Sequence, residues 1–538
     1  MTGLEQAVRY IDEFLQLVIE KDGIPGMALA ITDREKLVRV SSYGFAELAS
    51  RTSVTSGTLF EIGSLGKPFT SIALLQLKDE GKLDLQKPVA EYLPWFQVQS
   101  EYSPILVHHL MNHTAGLVRG TDIAPHGLYE SWALRHTRAS APPGEYFSYS
   151  NIGYKTLGFL LEELMGKSLG EIIQTRVLEP LEMRQTYPVT TLETRKITAA
   201  GYCGAYDDRP EHTSHGVTPA LWSEYGTGDG CEVSTVEDMA KYLRMLLNRG
   251  QGPRTRLISE DSFKLMTLDG IWTGGDYYGY GLATYPVDGR TYIGHGGGNA
   301  GYRSAIVVDL DAGLGVVMLL NRMGETDPIV EMAQYVLTIV RSAAGDEDIP
   351  PVPEALKPDD IRNVEEYTGT FYSGEREIQF LAKNGKLVLA TGGREIILEK
   401  RAPDSFYTPD TEFDMFCFEF KREDGSVVEM FHGSDWYVNK AYTGPRAFDY
   451  PQEWLAYTGH YRTRNPELSN FRIVMRKGLL ILIIPWGNSE TLIPIEEGVF
   501  RIGENVYSPE TLRFASVVDG HAFRADYSGC PYYRSFTP

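Results

Sequence analysis

The stretch Phe60-Glu61-Ile62-Gly63-Ser64-Leu65-Gly66-Lys67-Pro68-Phe69-Thr70 runs into the apolar segment Ile72-Ala73-Leu74-Leu75-Gln76-Leu77. It reads as a helix carrying a nucleophile. Ser64 and Lys67 are three residues apart, so on a helix they share one face and the lysine can take a proton from the serine hydroxyl. A serine in the first helical turn would also meet unpaired N–H groups and the positive dipole end, which favour a developing alkoxide. Pro68 opposes a regular start, because it disfavours the α region at Lys67 and supplies no N–H. The helix is therefore expected to be short or distorted at its first turn, with its stop between Leu77 and Gly81.

Around this stretch the chain has 538 residues, enough for two to four domains. Its formal charge of -21 and the lack of a Lys/Arg-rich block argue against nucleic acid or an anionic membrane surface as partner. The first residues, to Lys21, space Leu4, Val8, Ile11, Phe14, Leu15, Val18 and Ile19 as an amphipathic helix rather than a signal peptide. No apolar run reaches the ~18 residues of a membrane span. Four scattered cysteines without Cys-x-x-Cys spacing match neither a disulfide framework nor a zinc site. A cytoplasmic setting is the default expectation, with a periplasmic one open if a signal segment has been removed.

Gly26–Thr32 and Leu37–Gly44 read as a hairpin through the charged turn Asp33-Arg34-Glu35-Lys36. From Leu83 to about Met245 the pattern is mainly helical with loops rich in proline and glycine, and Asn151–Met165 and Ser234–Asn248 are the clearest helices. Strands return at Tyr280–Tyr285, Thr291–His295, Tyr302–Asp309 and Gly315–Leu320, and a last helix spans Pro328–Ala343. This order predicts an α+β domain over residues 1–344: an antiparallel sheet flanked by helices, with a helical subdomain, closed by chain from both ends.

Residues 345–362, acidic and rich in proline, read as a linker. Beyond them short alternating strands dominate. Tyr367-Thr368-Gly369-Thr370-Phe371 returns 90 residues later as Tyr457-Thr458-Gly459-His460-Tyr461, which suggests two related antiparallel β-barrels, 363–450 and 451–538.

Two further stretches carry chemistry. Pro142-Pro143-Gly144-Glu145-Tyr146-Phe147-Ser148-Tyr149-Ser150-Asn151 places a phenol, a hydroxyl and an amide in a turn entering a helix. For Tyr149 to act as a base, nearby positive charge such as that of Lys67 would have to lower its pKa from about 10. Gly294-His295-Gly296-Gly297-Gly298-Asn299 follows a strand, and its glycines allow a ligand close to the backbone; a flexible turn with a solvated histidine is the plainer reading. His108, His109 and His113 cluster in sequence but lack a His-Glu-x-x-His helix, so no metal is assigned.

Together, Ser64-Leu65-Gly66-Lys67, Tyr149-Ser150-Asn151 and His295-Gly296-Gly297 resemble the Ser-x-x-Lys, Tyr-x-Asn and third motifs of serine β-lactamases and penicillin-binding-protein-like enzymes. The nearest branch looks like the class C β-lactamase-related peptidases and esterases. Supporting stretches are His109–Leu117, Pro180–Met183 and Asp229–Thr235.

The resemblance implies acyl transfer through a covalent intermediate on Ser64, without a cofactor. Lys67 would be the neighbouring base or proton relay, and Tyr149 would protonate the leaving group and then activate the hydrolytic water. The N–H groups of Ser64 and Gly298 would form the oxyanion hole, and Asn151, Gly297 and Gly298 would bind substrate. His295 replaces the usual lysine of the third motif, which puts carboxylate recognition and β-lactamase activity in doubt. The His-Gly-Gly form resembles D-aminopeptidase and esterase members, and D-aminopeptidase carries two eight-stranded, lipocalin-like barrels after its catalytic domain. The expected function is thus a peptidase or amidase on small peptides, including D-residues. A carboxylesterase or acyltransferase on the same site and a non-catalytic penicillin-binding scaffold remain alternatives, and a homo-oligomer is compatible with each.

Overall fold

The computed structural model describes residues 3–120, 127–268, 270–287, 289–324, 329–345, 348–350, 358–465 and 468–536. Parts of the 345–362 linker therefore lie outside the described residues. The chain divides into two compact units. The first holds Met1–Cys203, Val217–Pro351 and Tyr507–Pro509, and the second holds Gly204–Gly216, Val352–Val506 and Glu510–Pro538.

The first unit is built on a nine-stranded sheet. Its strands are β1 (Gly26–Thr32), β2 (Leu37–Glu47), β3 (Thr52–Ser53), β4 (Ile271–Trp272), β5 (Tyr277–Tyr278), β6 (Ala283–Val287), β7 (Arg290–Asn299), β8 (Tyr302–Asp309) and β9 (Leu314–Leu320), in the order β3-β2-β1-β9-β8-β7-β6-β5-β4. Strands from the two ends of the domain thus meet at the centre, where Met27 pairs with Leu320 and Thr32 with Gly315. Every residue of β1 is buried, as are all but one each of β8 and β9. Both faces of these strands are covered, which is why Gly-Met-Ala-Leu-Ala-Ile-Thr shows no polar alternation.

The helices that bear on the sheet are α1 (Gly3–Asp22), α2 (Lys67–Asp79), α3 (Asn151–Met165), α4 (Val236–Leu247) and α5 (Ile329–Ala344). α1 packs on α5, and their rings meet where Phe14 lies 4.5 Å from Tyr335. α5 covers β8 and β9, while α4 lies against β1 and β9. The stretch from Leu83 to Met245 is less helical than its sequence suggests. Apart from α3 and α4 its helices run to seven residues or fewer among the described residues, as in Gly127–Ala133. Loops joined by long-range backbone hydrogen bonds do the rest, such as Tyr187 N–H to the Val233 carbonyl and Ala199 N–H to that of Leu59.

In the second unit, strands between Gly369 and Val438 and between Gly459 and Ser535 each close into an eight-stranded antiparallel barrel. Closure joins Tyr372 to Val438 in one and His460 to Ser535 in the other. Each interior is filled with side chains. Phe371, Phe380, Phe418 and Phe420 pack edge to face in the first, and Tyr461, Phe471, Phe500 and Phe514 fill the second.

The 90-residue recurrence has a structural basis. In both barrels a 3-10 turn ends in a tyrosine, Tyr367 or Tyr457. The next threonine hydroxyl donates to a carbonyl three residues back, at 2.8 Å in each case. A glycine with φ of 130° or 153° then turns the chain into a strand, whose inward aromatic, Phe371 or Tyr461, is fully buried.

Segment Gly204–Gly216, which precedes the barrels by about 150 residues in sequence, belongs to their unit. Asp207 pairs with Arg462 at 2.5 Å and Arg209 with Asp414 at 2.7 Å, and the Arg401 guanidinium donates to the Glu211 carbonyl.

Candidate active site

Phe60 and Glu61 pair with Ser234 and Val233, and the Ile62 N–H donates to the Glu232 carbonyl. The chain then makes a 3-10 turn over Gly63–Gly66 before α2 begins at Lys67. Pro68 falls in the first turn of α2, where a missing N–H costs nothing. The distortion expected from Pro68 is therefore a change of helix type. Ser64 is not in the first turn of the α-helix, as the sequence reading required, but in the separate 3-10 turn ahead of it. The spacing still brings the pair together: Lys67 Nζ donates to Ser64 Oγ at 2.9 Å and to the Asp229 carbonyl at 2.7 Å. Lys67 is fully buried.

The loop Gly228–Glu232 forms a floor under this turn. Thr70 Oγ1 donates to the Gly228 carbonyl at 2.8 Å. Gly230 has φ of 132°, and a methyl group there would lie 2.1 Å from the Gly63 carbonyl oxygen. A methyl group on Gly66 would lie 1.8 Å from Glu232 Oε2. Glycine is thus required at both places by close approach. Beneath the loop, Lys155 pairs with Glu130 at 2.6 Å and lies 3.9 Å from Asp229, with all three side chains buried.

Burial pushes the Glu232 carboxyl up to about 8, against the opposing pull of backbone N–H groups and Lys67. It is accordingly protonated at neutral pH, and its Oε2 has no hydrogen-bond partner among the described residues. The stability that Glu232 contributes is full below its unfolded value of about 4.5 and is lost as pH rises through about 8. Glu232→Gln is expected to flatten the fall of Tm between pH 5 and 8 relative to the parent; parallel profiles from thermal melts would contradict this.

Tyr149 stands at the entry of α3. Ser150 caps that helix by accepting from Gly153 N–H at 3.1 Å, and its hydroxyl donates to the Val118 carbonyl. His113 accepts the Ser150 N–H at Nδ1, 3.0 Å away, and its ring packs against Tyr149 with centroids 4.2 Å apart and the planes tilted by 35°. Burial, aided by Lys67, His295 and Arg119, holds the His113 imidazole well below the usual histidine range, so it is neutral. Two cations border the Tyr149 ring: Lys67 Nζ lies 4.9 Å from its centroid and the Arg119 guanidinium 5.6 Å. Asn151 N–H donates to the Arg119 carbonyl at 2.7 Å, and Asn151 Oδ1 is buried without a hydrogen-bond partner among the described residues.

The glycine-rich stretch after His295 is no flexible turn. β7 runs through it, pairing His295 with Ile306, Gly297 with Ser304 and Gly298 with Arg303. The 3-10 turn lies directly against this strand. A methyl group on Gly297 would meet the Ile62 carbonyl oxygen at 2.1 Å, and one on Gly63 would meet Gly298 N at 2.7 Å. The strand thus brings the Gly298 amide beside the residue preceding Ser64.

His295 is buried rather than solvated. Its Nδ1 faces the Gly296 carbonyl at 2.5 Å and its Nε2 faces the Tyr278 hydroxyl at 2.8 Å. A carbonyl can only accept, so Nδ1 carries the proton and Nε2 accepts from Tyr278. Desolvation, followed by the field of Lys67, lowers the imidazole to about 4. No cation stands at the start of the third motif.

Sequence reading missed Tyr278, Glu232 and the carbonyl of Asp229. Only the last two lie in a stretch, Asp229–Thr235, that carried any signal. Among the described residues no group of three or more His, Cys, Asp or Glu is placed to hold a metal ion, and no helix is long and apolar enough to cross a membrane.

The profile of the Beta-lactamase family matches residues 7–340. Penicillin-binding protein 4 of Amycolatopsis lactamdurans is 29% identical over 317 residues, covering 55% of this chain and 81% of that protein. Among solved structures, the octameric penicillin-binding protein homologue from Pyrococcus abyssi aligns over 80% of this chain and 100% of its own, with TM-score 0.58 and 25% identity. A β-lactamase/D-alanine carboxypeptidase from Pseudomonas syringae shares the fold at 20% identity, with TM-score 0.54 over 62% of this chain and 98% of that one. With the profile match spanning more than half its length, the chain belongs to the beta-lactamase family and is a serine hydrolase of the β-lactamase and penicillin-binding-protein superfamily.

Proposed function

We propose that the protein hydrolyses small peptides or amides, D-residues included, through an acyl-enzyme on Ser64. The observation that carries this reading is Lys67 Nζ, 2.9 Å from Ser64 Oγ and 4.9 Å from the centre of the Tyr149 ring. In the free-amine form, Lys67 keeps one N–H on the Asp229 carbonyl and takes the Oγ proton as Oγ bonds to the substrate carbonyl carbon. The amides of Ser64 and Gly298 receive the oxyanion; losing one such donor typically costs ~3 kcal/mol in the barrier. Tyr149 passes a proton to the leaving nitrogen as the C–N bond breaks, and water then reverses the sequence to free the acid. Asn151, with Gly297 and Gly298, holds the substrate backbone. His295 serves as a neutral prop, fixed by Tyr278, rather than as a charge.

A carboxylesterase on the same residues is the second reading, favoured by the neutrality of His295. Substrates that depend on a cation in the third motif, as β-lactams do in this superfamily, are expected to react poorly. The test is intact-mass detection of an acyl adduct from a p-nitrophenyl ester and from D- and L-aminoacyl anilides, beside Ser64→Ala. An adduct in the parent and none in the variant is expected. Identical spectra would leave a non-catalytic scaffold as the better reading. The Pyrococcus abyssi homologue is described as octameric, and self-association of this chain can be read by light scattering.

A further inference from the structure

We propose that His113 is the positioning residue for Tyr149, fixing the phenol beside Lys67 by holding the backbone on both sides of it and packing against its ring. This rests on the acyl-transfer reading above. Tyr149 lies in the turn ahead of α3, so no regular element holds it. Two hydrogen bonds to one residue take that part. The Ser148 N–H donates to the His113 carbonyl at 2.7 Å, and the Ser150 N–H donates to His113 Nδ1 at 3.0 Å. Between them the Tyr149 ring packs against the imidazole with centroids 4.2 Å apart, and Lys67 Nζ stands 4.9 Å from the same ring centre. The loop that carries His113 extends the contact. The Thr114 carbonyl accepts the Gly144 N–H at 2.8 Å, and the Val118 carbonyl accepts the Ser150 hydroxyl at 2.8 Å.

Histidine sits here against local preference. His113 follows the short helix Val107–Met111 by two residues and has φ of 58°, a left-handed conformation that glycine or asparagine fills more easily. Its side chain is fully buried. A backbone N–H can only donate, so Nδ1 bears no proton and the neutral ring carries its proton on Nε2. Nε2 is buried with no hydrogen-bond partner among the described residues. Both features oppose folding. A leucine would fill the same space without the orphaned N–H. What histidine adds is an acceptor at the δ position on a flat ring, and these meet the Ser150 N–H and Tyr149. The rings of Tyr154 and Tyr278, with centroids 5.1 and 5.0 Å away, leave the imidazole little room to turn.

The leaving group separates positioning from general damage. 4-Nitrophenolate departs without a proton, whereas the more basic phenolate gains from the one that Tyr149 supplies. Acylation is therefore followed in single turnovers of phenyl acetate and 4-nitrophenyl acetate, with the burst of 4-nitrophenolate counting competent enzyme. His113→Gln carries its oxygen at the Nε2 position and is expected to slow phenyl acetate roughly 10- to 100-fold, with 4-nitrophenyl acetate falling far less. His113→Asn is the smaller side chain, but it puts Oδ1 where Nδ1 stood and should recover most of the loss. In a Tyr149→Phe background, His113→Gln should change the ratio of the two rates little further, because residues acting as a unit are not additive. An equal loss for both esters, no loss in His113→Gln, or full additivity with Tyr149→Phe overturns the proposal. Should His113→Gln fail to fold in thermal melts, His113→Gly takes its place, since it suits the left-handed φ and lacks the acceptor. A parental ratio in Tyr149→Phe alone, or a parent that forms no acyl adduct with either ester, would mean that the acyl-transfer reading itself has failed.

Discussion

Lys67→Met is expected to slow acylation of Ser64 by roughly 100- to 10,000-fold, the usual contribution of a positioned proton acceptor. Methionine nearly matches lysine in length and is accommodated between the Tyr149 and Tyr154 rings, which lie 4.9 and 5.7 Å from Nζ. The change removes a group that is fully buried, so packing is kept while the proton acceptor is lost. It also strands the Asp229 carbonyl, at a stability cost of about 1–3 kcal/mol. In the proposed mechanism Lys67 handles the proton and makes no substrate contact, so KM should move little. Single-turnover kinetics with a p-nitrophenyl ester gives the acylation rate directly. A rate within tenfold of the parent would transfer the role of base to Tyr149.

Gly66→Ala is expected to be nearly as damaging, although it adds a single methyl group between Ser64 and Lys67. That methyl would lie 1.8 Å from Glu232 Oε2 and 2.8 Å from the Gly230 Cα, inside a floor that is itself pressed against Gly63. Overpacking of this kind costs about 1–3 kcal/mol. The turn can relieve the clash only by lifting, and a displacement near 1 Å at a reacting group can cost about 100-fold in rate. Glu232→Ala in the same chain removes the obstructing carboxyl and should restore most of both losses. A double-mutant cycle read by thermal melts and by kcat/KM measures this coupling. Additive effects would show that Glu232 is not what demands glycine at position 66.

The motifs themselves were open to reading because each is local. Ser64 and Lys67 meet through helical spacing, and Ser150 caps α3 in the turn that holds Tyr149. The central strands were equally legible, since β1, β8 and β9 are unbroken apolar runs bounded by turn residues. Three expectations shifted on inspection of the fold. Ser64 lies in a 3-10 turn, because Pro68 lets α2 begin only at Lys67. The glycines after His295 continue a strand, because the Ile62–Gly63 turn packs where side chains would stand. The long middle segment is mostly loop, held by backbone bonds between distant residues.

The sequence by itself determined the order of the three motifs, the sheet that carries them and the paired barrels, all of which are written in short periods and repeats. Tertiary structure alone decided the electrostatics of the site. The Asp229 carbonyl reaches Lys67 across 162 residues, and the Tyr278 hydroxyl reaches His295 across 17. Neither contact has a period for a sequence to display. The charge of His295 was equally hidden, because an imidazole is neutral or charged according to its burial and neighbours, and those exist only once the chain has folded.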